Sequence, residues 1–206
     1  MPKIPIMPEP PDKAFDLATP AHVYSKLLWE LGNLKRSMAE EAAEDAGLRF
    51  ESAYHAYNLA VTAWHLVDWV WAASDNDTCK YISKFFGGVE MAKKAHLYNA
   101  VAQKYRAIHI CGQIANGSKH YIAAWGDDPS VKAMVLWVKR EPVEGTDDRV
   151  RFLFQKELAI RDGDDDPRPA IDIFKGAVKA WDGMLGNWGF IEDRYIGPDT
   201  DPPPWV

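Results

Sequence analysis

The sequence predicts a mainly α protein, a bundle of four or five helices with a small antiparallel β-hairpin inserted before the last helix. Three observations carry that expectation. Apolar residues recur at i, i+3, i+4 spacing through most of the first 122 positions. A cluster of breakers, Trp125-Gly126-Asp127-Asp128-Pro129, then gives way to runs rich in Val, Phe and Leu. Helical spacing returns from Phe174 onward.

Residues 1–18 are rich in proline and read as an extended arm. Thr19-Pro20 supplies an N-cap followed by proline at the first helical position, and Tyr24, Leu27, Leu28, Leu31, Leu34 and Met38 mark an amphipathic helix to about residue 38. An acidic connector follows, with Glu40, Glu41, Glu44 and Asp45. Residues 47–73 are apolar or aromatic nearly all round, with Phe50, Tyr54, Tyr57, Val61, Trp64, Val67, Trp69 and Trp71, and read as the central buried helix. Asp75-Asn76-Asp77 breaks it, residues 78–86 form a short helix, and Gly87-Gly88 ends that one. Two further helices are expected at about 89–97 and 99–122. Residues 132–139 and 149–160 read as the two strands, joined through Gly145-Thr146-Asp147-Asp148, so that the hairpin occupies about 132–160. Phe174, Ala177, Val178, Trp181, Leu185 and Trp188 mark the last helix. The domain therefore spans 19–190, and 191–206 is a proline-rich tail ending in Pro202-Pro203-Pro204-Trp205-Val206.

With 206 residues and 47% hydrophobic content, the chain fits one domain with one core. Nine tryptophans favour a packed core or a partner surface over a disordered polymer. No apolar run approaches the roughly 20 residues of a membrane span, and Met1-Pro2-Lys3-Ile4-Pro5 lacks the apolar stretch of a signal peptide, so a cytoplasmic protein with no membrane partner is expected. Cys79 and Cys111 have no CxxC or Cys/His spacing and read as structural thiols. The net charge of −6 argues against a duplex-DNA footprint and leaves room for a small RNA site. Asp162-Gly163-Asp164-Asp165-Asp166 lacks the spaced ligands and closing Glu of a calcium loop.

The chemistry concentrates on the helix ending near residue 120. One stripe collects Arg106, His109, Gln113, Asn116 and His120, while Ile108, Cys111, Ile114 and Ala115 face the other way. A merely solvated face is usually built from Lys and Glu, so neutral and titratable donors without a carboxylate point to a site or an interface. The central helix adds Asn58, Thr62, His65 and Asp68, whose buried groups need partners; Asp68 is expected to orient His65 or to meet Arg106 or Lys119. If the two helices are neighbours, His65, Asp68, Asn116 and His120 converge. Three chemistries suit that set. One is a satisfied polar seam. Another is proton transfer and phosphate handling, with His120, Asn116, Lys119, His65 and Asp68 catalytic and Arg106, His109, Gln113 and Asn58 binding substrate. The third is a metal-dependent enzyme using His65, Asp68 and His120, for which no HxxH or HExxH spacing exists. No cofactor and no dedicated metal site is expected.

Ala115-Asn116-Gly117-Ser118-Lys119-His120, near the end of a long helix, resembles the signature of HEPN-type proteins, in which an Arg is followed by a polar residue, often Asn, and by a His four to six positions after the Arg. Asn116 and His120 match the second and last elements, and Ala115 stands where the Arg is expected. The resemblance covers about residues 47–122. It implies a helical dimer of a bacterial defence or toxin-antitoxin system that binds or cleaves RNA without metal, with His120 in acid-base work and Asn116 and Lys119 positioning phosphate. Lys119 or Arg106 would have to supply the missing charge, without the fork geometry of an Arg at the motif position. Val61-Thr62-Ala63-Trp64-His65-Leu66-Val67-Asp68-Trp69 together with residues 115–120 also resembles uncharacterised bacterial proteins, a likeness that supplies no function. From a different class, the Trp-rich helices and the Pro-Trp tail suit a non-catalytic protein-interaction subunit of a larger complex.

Overall fold

The computed structural model describes residues 17–43, 50–119, 128–139 and 154–191. Six helices and three strands lie within them: α1 (Pro20–Ala43), α2 (Glu51–Ala73), α3 (Asn76–Phe85), α4 (Lys94–Lys104), α5 (Arg106–Lys119), β1 (Val131–Lys139), β2 (Phe154–Asp162), β3 (Arg168–Pro169) and α6 (Ala170–Asn187). The expected class holds, mainly helical with a small antiparallel sheet before the last helix. The sheet gains a two-residue third strand, and the helices number six, as do the helical stretches read along the sequence, against the four or five given for the bundle.

Local chemistry sets several boundaries. The Thr19 hydroxyl oxygen accepts from the backbone N–H of His22 at 3.2 Å, capping α1 where Pro20 begins it. Asp75 caps α3 by accepting from the N–H of Thr78 at 2.8 Å. Gly87 and Gly88 then turn the chain through positive φ, which glycine alone adopts without strain, and the Gly88 N–H returns to the Ser83 carbonyl at 2.8 Å. Two boundaries differ from expectation. Helix α1 runs on to Ala43 because Ala39-Glu40-Glu41-Ala42-Ala43 are strong helix formers, and propensity outweighs their acidity. The break between α4 and α5 falls at Tyr105, held extended at φ −127 and ψ 90, instead of near residue 98.

Helix α2 is the axis of the core. It packs against α1, α5, α6 and α4, and Leu59, Ala60, Ala63, Leu66, Val67 and Val70 are fully buried along it. The buried Trp181 indole N–H of α6 donates to the Ala63 carbonyl at 2.9 Å, so the largest core side chain satisfies its one donor on the helix it packs against. Trp188, just past α6, sets its ring edge-on to Phe85 with centroids 5.6 Å apart and so joins α6 to α3. Helix α2 departs from the expectation of all-round burial: Phe50, Tyr54 and Tyr57 at its N-terminal end are exposed, and Trp64, Trp69 and Trp71 further along are half-buried.

Strands β1 and β2 pair antiparallel in continuous register from Val131 opposite Asp162 to Lys139 opposite Phe154. Ala133, Val135 and Trp137 therefore share one face with Ile160, Leu158 and Lys156, and the burial of Ile160 shows that this face looks toward the helices. Pro169 closes β3 and leads directly into α6. The turn expected at 145–148 and the first five residues of the strand expected at 149–160, with the arm before residue 17 and the tail after 191, lie outside the described residues.

Helices α2 and α5 approach closely at Gly112. A Cβ placed on Gly112 would lie 2.7 Å from Cε3 of the Trp64 ring, which also leans on Tyr98 with centroids 4.7 Å apart. Replacing Gly112 by alanine gains helix propensity of about 1 kcal/mol but forces the ring and the helices apart, at a cost of about 1–3 kcal/mol. Gly112→Ala should therefore lower the thermal midpoint by a few degrees, whereas Gly117→Ala, which meets nothing within 4 Å, should raise it or leave it unchanged; differential scanning calorimetry of both variants checks this.

Candidate functional site

Three polar clusters hold the chemistry-bearing side chains. The largest surrounds the stripe on α5. Arg106 spans two carboxylates: its Nε lies 3.1 Å from both oxygens of Asp162, its Nη1 is 2.8 Å from Oδ2 of Asp128, and its Nη2 donates to the Ser130 hydroxyl at 3.1 Å. His109 Nε2 lies 3.0 Å from the same Asp128 oxygen, and the Asp128 N–H donates to Oε1 of Gln113 at 2.9 Å. Ser130 donates from its backbone N–H at 3.1 Å and from its hydroxyl at 2.5 Å to the other Asp128 oxygen. The structure thus brings Arg106, His109 and Gln113 together, around the base of the hairpin. Ser130 above all, with Arg106 and His109, holds the Asp128 carboxyl well below the usual carboxylate range, and Arg106 lowers Asp162 likewise.

The second cluster joins α2 to α4. Asp68 accepts from the Lys94 ammonium at 2.6 Å and from the Tyr98 hydroxyl at 2.5 Å, so the cation it meets is Lys94 and not the expected Arg106 or Lys119. Burial, followed by the hydrogen bond to Asp68, pushes the Tyr98 phenol well above its ordinary pKa. The third cluster ties α1 to α2. Glu30 is only 3% exposed, yet it has the Lys26 ammonium at 3.2 Å and His55 Nδ1 at 3.5 Å; Lys26 also donates to the Thr62 hydroxyl at 2.6 Å. Glu30, Lys26, Lys94 and Tyr98 were not singled out in the sequence, and Asp128 and Asp162 stood out there only as part of a breaker cluster and of an acidic run; their partners depend on pairings between elements.

The remaining candidates are dispersed. His65 is half-buried on α2, Asn58 is exposed near its start, and Asn116 is half-buried in the last turns of α5. Lys119 ends α5 with its side chain outside the described part, and His120 lies outside the described residues altogether. The Cys111 thiol is fully buried, on the apolar face as expected, and burial pushes its pKa up to about 12. Among the described residues no group of three or more His, Cys, Asp or Glu could hold a metal ion, and no helix is long and apolar enough to cross a membrane.

A different feature stands at the end of the bundle where α2 begins. Between the inward face of the sheet and α2, α5 and α6 lies a cleft of about 280 Å³, lined by Ala53, Ala56, Ile114, Ala133, Ile160 and Phe174. Exposed aromatics border it: Tyr57 is in its lining, and Phe50 and Trp137, the latter 57% exposed, flank lining residues at the start of α2 and on β1. The Lys156 ammonium bridges the rim, 4.7 Å from the Phe50 ring centroid and 5.5 Å from that of Trp137. The periodicity of β1 could have found Trp137, but which face of the strand it occupies depends on the register with β2.

Comparison with protein-family models, with curated proteins and with solved structures yields no match.

The ionic joint between α5 and the sheet has a defined acid response. Asp128 and Asp162 have depressed values in the folded state, so the stability they contribute is present above their unfolded pKa of about 4 and is lost as pH falls through the folded values. Amide protection in β1 and β2, taken relative to the intrinsic exchange rate at each pH, should fall below about pH 4. In Asp128→Asn that fall should be smaller, with lower protection already at pH 7; hydrogen-exchange mass spectrometry across pH 3–7 reads both.

Proposed function

We propose that this chain acts by binding, as a non-catalytic protein-interaction subunit of a larger complex, and that its recognition face is the aromatic-rimmed cleft between α2 and the sheet. The observation that carries this reading is an apolar cleft with the exposed Tyr57 in its lining and, next to its lining residues on α2 and β1, the exposed Phe50 and Trp137 drawn together by Lys156. Large aromatics cost free energy when left in water and dominate the energetics of interfaces, where they combine wide apolar area with little side-chain entropy. The polar residues that would do chemistry support the same reading from the other side: Arg106, His109, Gln113 and Asp68 direct their hydrogen bonds to Asp128, Asp162, Lys94 and Tyr98 within the fold.

A second reading, a HEPN-like protein that binds or cleaves RNA as a homodimer, draws support from the helix expected to bear its motif. Helix α5 runs unbroken from Arg106 through Asn116 to Lys119 and packs along α2, the helix of His65. The two readings part on one assay. Purified wild type and His120→Ala are incubated with total RNA and tRNA, in chelator and with added divalent metal; the interaction reading expects no cutting by either protein. Chelator-resistant cutting by the wild type that is lost in His120→Ala overturns it. The binding face itself is tested in a complex with a co-expressed partner, where Tyr57→Ala together with Trp137→Ala should weaken the complex at least about tenfold, in line with loss of hot-spot aromatics, with the circular dichroism of the free chain unchanged.

A further inference from the structure

Among the described strands, β1 stands at one edge of the sheet. Among the described residues it pairs with β2 alone, and β2 pairs on its other side with β3. The outer side of β1 therefore presents a row of backbone N–H and C=O groups along nine residues, Val131 to Lys139. Edges that must stay single are shortened, kinked by a bulge, or interrupted by proline. Charge, lysine above all, also guards edges; here the register with β2 runs without a bulge, Val131-Lys132-Ala133-Met134-Val135-Leu136-Trp137-Val138-Lys139 contains no proline, and its lysines stand near the two ends and leave residues 133–138 uncharged. Val135, Trp137 and Val138 are exposed on it.

We propose that the occupant of this edge, and of the cleft beside it, is a second copy of the same chain, paired antiparallel through β1 about a twofold axis at Val135. This deepens, and rests on, the reading of the cleft as a binding face. The strand is self-complementary in that register. Val135 falls opposite its own copy, Met134 opposite the partner's Leu136, and Ala133 opposite the partner's Trp137. The lysines separate: Lys132 falls opposite the partner's Val138 and Lys139 opposite the partner's Val131, so no cation faces a cation. A slip by one residue would turn the inward face of one sheet onto the outward face of the other, which disfavours the neighbouring registers.

The cleft completes the argument. Ala133 lines it, on the same face as Trp137. A small side chain directly opposite the partner's Trp137 leaves room for the indole to lie across Ala133 toward Ile114 and Ala56, which also line the cleft. The twofold repeats the arrangement, so each copy gives one tryptophan and receives one, and the indole that is 57% exposed in the single chain gains an apolar seat. The product is a continuous six-stranded sheet with both helical layers on the same side.

The test uses the full chain. Size-exclusion chromatography with light scattering should give twice the chain mass for the wild type and a dissociation constant raised at least tenfold in Trp137→Ala. Because a core-facing change can also disturb folding, Val135→Cys supplies an independent reading: under mild oxidation it should form a dimer on a non-reducing gel, and the wild type and Val138→Cys should not. A wild type that is monomeric up to about 100 µM, a dimer indifferent to Trp137→Ala, or a dimer in which Val135→Cys fails to cross-link overturns the proposal. If the chain is monomeric and Tyr57→Ala with Trp137→Ala still weakens a heteromeric complex, the binding face stands and the second copy is excluded. If the dimer forms as described and no such complex depends on those residues, the twofold pairing stands and the wider interaction reading fails.

Discussion

The close approach of α5 to α2 at Gly112 is the contact on which the arrangement of this molecule depends. With no Cβ at that position, the Trp64 ring lies against the α5 backbone and fills the space between the helices. The ring leans on Tyr98 of α4, whose hydroxyl is tied back to Asp68 on α2, so one glycine permits three helices to share a single junction. Ile108, Cys111 and Ala115 are buried as a result. The opposite side of α5 then has to carry whatever is polar, and those groups cannot be left half-buried without partners. The hairpin base supplies them. Asp128, Ser130 and Asp162 receive Arg106, His109 and Gln113, and the sheet is thereby hung from α5.

This accounts for a polar stripe without an acidic residue of its own. Its complement is displaced in sequence: Asp128 and Asp162 lie 22 and 56 positions after Arg106 and converge on one guanidinium, whose fixed fork addresses both carboxylates at once. The same logic runs through Glu30. A carboxylate that is 3% exposed would be costly alone, and Lys26, four residues earlier on α1, sets an ammonium between it and the Thr62 hydroxyl of α2. In each case a charged group joins two elements, so titratable density along this chain tracks the joints between elements.

The helices were legible because their signals are local. Apolar spacing, the Thr19-Pro20 start, the Asp75 cap and the Gly87-Gly88 exit all lie within a few residues of the structure they specify. The break at Tyr105 was not, because Gln103-Lys104-Tyr105-Arg106 contains no glycine, proline or capping side chain, and the extended backbone there follows from how α4 and α5 pack. The candidate site divides along the same line. Which residues would be polar on α5 could be read from its period, but Asp68 meets Lys94 and Tyr98, 26 and 30 positions on, and no periodicity reports that pairing. The exposure of Tyr54 and Tyr57 escaped for a related reason. An all-round apolar helix is expected to be buried, and only the placement of the sheet shows that its first turns overhang the core and border a cleft.

The two edges of the sheet are treated differently, and the difference bears on what the fold is for. On one side the edge is a two-residue strand that ends in a proline and turns at once into α6, a short edge with little backbone to offer. On the other, β1 offers nine residues of unbroken strand with valine and tryptophan exposed. Stability alone does not call for that asymmetry, since the helices are already packed on α2, and exposed aromatics cost free energy in water. A polar residue at Trp137 would leave the core intact, because the buried contacts of the sheet fall at Ile160 and Leu158, toward its other end. The aromatic rim and the open edge therefore lie where the single chain gains least from them, and where a second surface would gain most.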